Sequence, residues 1–92
     1  MENTFKQKHD LDEFLVMASF RYALTRKSAG SVIVAEELVR IIDDLSETTL
    51  RNIVDEFSYE LERKTLDEIN LPYWSNLANV AQERLNDLRE FN

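Results

Sequence analysis

The sequence predicts an all-α fold, a compact four-helix domain in which helix 1 is the most buried. Three observations lead there. The 92 residues include one glycine and one proline, too few for the tight turns that a β-rich chain of this size requires. Hydrophobic residues make up 43% of the chain, enough for a core and too many for a disordered segment. They recur at helical spacing in four successive stretches. A chain of this length supports one core, so residues 1–92 are expected to be a single domain.

The first helix is expected over about 10–27, with Gly30 beyond it as a left-handed terminator. Ser31 has the side chain of a good N-cap for a second helix over 32–45. Ser46 offers the same to a third over 47–64, with Glu47 in a first turn where the helix dipole favours negative charge. After the connector TLDEINL, Pro72 falls near the first turn of a fourth helix over 72–90, where its missing N–H costs nothing.

Winding each stretch at about 100° per residue separates their faces. Helix 3 carries one narrow apolar stripe of Leu50, Ile53, Val54, Phe57 and Leu61, and helix 4 another of Trp74, Leu77, Ala78, Ala81, Leu85 and Leu88. Helix 2 is apolar over half its circumference, and its other half is Glu36, Glu37, Arg40, Asp43 and Asp44. Helix 1 differs. Leu11, Phe14, Leu15, Ala18 and Tyr22 form one stripe, and Val16, Met17, Phe20, Ala23 and Leu24 form a second on the opposite side. A helix apolar on two sides is central in its own domain, a seam between two copies, or a docking face for a partner. Val16, Met17, Phe20 and Leu24 are the candidate self-association residues. Arg21 lies at the edge of both stripes, where its stem can pack while the guanidinium meets an acid on a neighbouring helix or anchors an interface.

Charge and chemistry narrow the function. Net charge is −7, and it is unevenly spread. Residues 1–30 hold five basic and four acidic groups, whereas residues 31–92 hold six basic and fourteen acidic. Such a surface repels phosphates, so direct nucleic-acid binding is not expected. There is no cysteine, hence no disulfide and no thiolate ligand or nucleophile. His9 is the sole histidine, which excludes the paired Glu-x-x-His motifs of a di-iron bundle. His9, Asp10, Asp12 and Glu13 read as a solvated helix start rather than a metal site. One glycine cannot build a phosphate loop. Neither a metal nor a cofactor is expected, and no apolar run approaches the length of a membrane span.

The stretch VAEELVRIIDDL resembles the acidic helices of MazG-type nucleotide pyrophosphohydrolases, in which clustered carboxylates hold Mg²⁺. That family pairs Glu-Glu-x-x-Glu with a later Glu-x-x-Asp. Here Arg40 stands where the third glutamate belongs, and no Glu-x-x-Asp follows. The chain is therefore expected not to be an enzyme. Tyr59 is more informative. It points away from the helix 3 stripe, among Asp55, Glu56, Glu62 and Arg63. A tyrosine ringed by acids suits recognition of a basic partner.

Residues 18–27, ASFRYALTRK, resemble a Phe-Arg-Tyr-Ala-Leu-Gly-Arg motif of small bacteriophage and prophage proteins, with Thr25 in place of the glycine. The similarity runs through helix 2 into DLSETTLRNIVDEF. Proteins of that group are mostly without an assigned mechanism. The resemblance implies a cytoplasmic protein of a bacterial host cell that occupies a host protein, such as a nuclease of CRISPR or restriction defence. Tyr59, Asp55, Glu56, Glu62, Arg63 and Arg21 are the candidate partner-binding residues. The alternatives are a homodimeric helical subunit of a phage or host assembly, and a divergent nucleotide hydrolase.

Overall fold

The computed structural model describes the backbone of residues 2–90 and the side chains of residues 13–90. It is a four-helix domain without strands among those residues. The helices are α1 (Glu2–Leu24), α2 (Ser31–Arg40), α3 (Glu47–Arg63) and α4 (Leu71–Glu90), with a 3-10 turn over Ile42–Asp44 between α2 and α3.

The core forms where the sequence stripes meet. Trp74, Leu77, Ala78, Ala81 and Leu85 of α4 are buried, as are Leu50, Ile53 and Phe57 of α3 and Ala35 and Leu38 of α2. Helix α4 packs along both α3 and α2, and its Trp74 meets Phe20 of α1 edge to face, ring centroids 5.7 Å apart at 77°. The indole N–H of Trp74 finds no hydrogen-bond partner. That omission costs about 1–3 kcal/mol, and the large apolar area of the ring offsets it.

The burial of helix 1 departs from expectation. Met17, Phe20, Ala23 and Leu24 are buried, but Phe14, Leu15 and Tyr22 on the opposite stripe are exposed. Helix α4, packed on both α3 and α2, buries Trp74, Leu77, Ala78, Ala81 and Leu85. The expected self-association seam is corrected with it. Met17, Phe20 and Leu24 pack into the domain's own core, where a second chain cannot reach them, and Val16 is half-buried against that core.

Five boundaries also differ. Helix α1 begins at Glu2 rather than at about residue 10. Helix α1 stops at Leu24 because the carbonyls beyond it are taken by another partner. The amide of Asn70, buried just before α4, donates to the carbonyls of Arg26 at 3.4 Å and Ser28 at 3.0 Å. Gly30 is not left-handed. It sits at φ −67°, ψ −19° as the N-cap of α2, and Ser31 is the first helical residue. The turn is made by Ser28, whose hydroxyl accepts from the Gly30 N–H at 3.1 Å and whose carbonyl accepts from the Ser31 N–H at 3.0 Å. The α-helical part of helix 2 ends at Arg40, and the tighter winding that follows turns Ile42 and then Leu45 inward. Finally, α3 ends on Lys64 in the left-handed region at φ 58°, and Leu61, placed in the stripe by sequence, is exposed beside that terminus.

The start of α3 is held from two directions. The Ser46 hydroxyl accepts from the Thr49 N–H at 3.2 Å, as expected of an N-cap. Glu13 of α1 reaches the same helix end, its Oε1 accepting from the Ser46 N–H and from the Thr49 hydroxyl, both at 2.8 Å. A carboxylate at a helix N-terminus satisfies free N–H groups and complements the dipole.

Two substitutions test this packing by chemical denaturation. Phe20→Asp, at a position with no exposure, is expected to abolish cooperative folding, since an unpaired buried carboxylate costs several kcal/mol against a total of about 5–10 kcal/mol. Asn70→Ala is expected to cost about 1–3 kcal/mol by stranding the carbonyls it serves.

Candidate partner-binding surface

The outer face of α3 gathers the predicted contact residues. Asp55, Glu56, Tyr59, Glu62 and Arg63 are spaced three and four apart, so they share one side of the helix. Leu50, Ile53 and Phe57 on the other side hold that helix against α4, which is why this face points outward. Tyr59 is 58% exposed. Arg63 lies over its ring at 5.3 Å from the centroid and donates to its hydroxyl at 3.1 Å. One arginine thus holds both the ring and its polar tip, which reduces the ordering cost of any contact the ring makes.

Arg21 joins this face from α1. Its Nε donates to Glu56 at 2.8 and 3.1 Å and its Nη2 at 2.8 Å. The Arg21 pKa rises above its ordinary value, chiefly through the hydrogen bond to Glu56; burial opposes the rise, and the charge of Glu56 adds to it least. A guanidinium keeps its proton across the ordinary pH range, so the arginine brings no pH dependence to the pair there. Its geometry is the bidentate fork favoured by guanidinium and carboxylate, but both partners remain solvated, with side-chain exposures of 56% and 32%. A stabilisation of about 0.5–1 kcal/mol fits such a pair. Arg21 thus pairs with an acid on a neighbouring helix, one of the two roles expected for it, and Glu56 is partly neutralised. The free negative charge beside Tyr59 comes from Asp55 and Glu62, both exposed.

The acids of helix 2 do not assemble a metal centre. Glu37 pairs with Arg40, whose Nε donates at 3.0 Å, so the residue standing where a third carboxylate would belong neutralises one of the two present. Asp43 faces Arg84 of α4, with its carboxylate at 3.6 Å. Among the described residues no three His, Cys, Asp or Glu side chains cluster as metal ligands. His9, Asp10 and Asp12 lie outside the residues whose side chains are described, and Glu13 is engaged at the α3 N-terminus.

A second surface was not singled out by sequence as the free one. Phe14, Leu15, Ala18 and Tyr22 of α1 are exposed beside Ile33 of α2. Between the two helices runs an apolar groove of about 490 Å³, lined by Leu15, Val16, Ile33, Val34 and Ile41, with Ser19 and Glu37 at its edge. Arg26 stacks on Tyr22 at 4.3 Å from the ring centroid. The sequence signal is that helix 1 carries two apolar stripes; only the packing shows that the stripe of Phe14, Leu15, Ala18 and Tyr22 is the one left open.

The two roles assigned to the α3 face separate by thermal unfolding. Tyr59→Ala should change stability by less than about 0.5 kcal/mol. A double-mutant cycle on Arg21→Ala and Glu56→Ala should give a coupling of about 0.5–1 kcal/mol that falls as salt is added.

No protein-family model, curated protein or solved structure matches the chain.

Proposed function

We propose that the chain is a non-catalytic interaction protein of the phage type, which binds and inhibits a host nucleic-acid-processing protein by covering its basic surface. The observation that carries this reading is Tyr59, 58% exposed, pre-organised by Arg63 and flanked by the free carboxylates of Asp55 and Glu62. A tyrosine held in place supplies desolvated contact area at little entropic cost. The acids around it, drawn from a segment with fourteen acidic and six basic residues after position 30, attract a partner evolved to hold phosphates. In this reading nucleic acid is the competitor rather than the ligand, and anti-CRISPR or anti-restriction activity is the outcome. The bacterial cytoplasm is where such a partner is met. No helix among the described residues is long and apolar enough to cross a membrane. The competing reading, a homodimeric helical subunit of an assembly, draws on the apolar face of α1.

Affinity capture from a bacterial lysate tests the proposal, using the wild-type chain beside an Asp55→Lys, Glu62→Lys double variant. The wild type should retain a nucleic-acid-binding protein that added salt or nucleic acid releases, and the double variant should lose it. Tyr59→Ala should raise the dissociation rate about tenfold or more. A partner whose capture ignores the charge reversal and is not displaced by nucleic acid would overturn this assignment.

A further inference from the structure

We infer that the exposed stripe of α1 is a self-association surface, and that its occupant is the same stripe of a second copy. The inference rests on shape, charge and area, and is independent of the α3 contact.

Shape comes first. A two-fold interface must be complementary to itself, so it needs projecting and receiving features on one patch. Phe14 and Tyr22 project from α1, 69% and 65% exposed. The groove between α1 and α2 takes one of its walls from Leu15, which follows Phe14 in the chain and shares a side of α1 with Tyr22, seven residues on. Leu15, Ala18 and Tyr22 follow one another in steps of three and four, the repeat of a coiled-coil seam. Ala18 at its centre leaves room for a close helix crossing. With two α1 helices antiparallel about Ala18, Tyr22 of each copy falls opposite Phe14 of the other, at the Leu15 end of its groove.

Charge selects the partner. The whole molecule carries −7, and two copies repel one another across most of their surfaces. This face is different. Glu37 at the groove edge is paired with Arg40, Arg21 is paired with Glu56, and Arg26 lies on Tyr22. Among these groups Arg26 alone has no acidic partner, so a basic partner gains little here, whereas an acidic second copy meets no unpaired carboxylate from them. Four large side chains, each more than half exposed, present on the order of 400 Å² of apolar surface per copy. That lies within the range of patches that mark interaction sites. Counted on both copies and with its polar rim, it approaches the lower end of specific interfaces, about 1,200 Å². The expected product is a concentration-dependent dimer rather than an obligate one.

Sedimentation velocity on the full chain over a wide range of concentration tests this. The wild type should move from monomer to dimer as concentration rises, and added salt should tighten the dimer by screening the net charge, opposite to its effect on a basic partner. Ala18→Glu should raise the dissociation constant at least about tenfold, with helix content and melting unchanged in dilute solution. The absence of cysteine from the chain allows a second readout. Ala18→Cys should form a disulfide-linked dimer under mild oxidation far faster than Asn79→Cys, a control on the exposed side of α4. A wild type that stays monomeric at the highest concentration overturns the inference, even if Ala18→Glu loses a lysate protein, since the face then serves a different partner. So does a dimer that survives Ala18→Glu, or equal crosslinking at positions 18 and 79.

Discussion

The contact of Phe20 with Trp74 governs how the rest of the molecule is arranged. Helix α1 has two apolar sides of comparable size, and its residues alone do not say which turns inward. Among the described residues of α1, Phe20 is the one large side chain with no exposure, and it is seated edge to face against an indole that is itself almost fully buried. Once that ring is committed, Met17, Ala23 and Leu24 follow it into the core by helical spacing, and Phe14, Leu15 and Tyr22 are turned to solvent. The same commitment places Arg21 next to α3.

Polar contacts then fix α1 lengthwise. Glu13 holds the first turn of α3, and Arg21, two turns further along α1, holds Glu56 about two turns further along α3. The two contacts occur in the same order on both helices, so α1 and α3 run in the same direction and cannot slide past each other without losing both. Each contact is modest because each is solvated. Their value lies in register. Asn70 performs the equivalent task at the other end of the molecule, tying the α1–α2 connection to the start of α4 through carbonyls that no helix uses.

This division of labour leaves two outward surfaces of opposite character. The α3 face is charged, with one aromatic ring held upright by an arginine, and electrostatics dominates anything it does. The α1 face is apolar, with Glu37 and Arg21 paired and Arg26 laid over Tyr22, and contact area dominates there. Salt is therefore expected to act on contacts through the two surfaces in opposite senses, which would make the two proposed contacts separable in solution even though Arg21 and Glu56 link the helices that carry them.

The sequence by itself determined the class of fold, the four helices, the Ser46 cap and the stripes of α3 and α4, because each depends on neighbours within a turn or two. It also placed Tyr59, Asp55 and Glu62 on a solvated face, since a narrow stripe on α3 leaves its reverse side no other role. The tertiary structure decided what depends on distant residues. Gly30 read as a left-handed terminator, yet Ser28 makes that turn with a right-handed glycine. Glu13 read as part of a solvated helix start, yet it caps a helix more than thirty residues away. The inward side of α1 was undetermined for the same reason. Periodicity records that a face is apolar, but which apolar face is buried depends on the shape of the partner, and here that partner is Trp74.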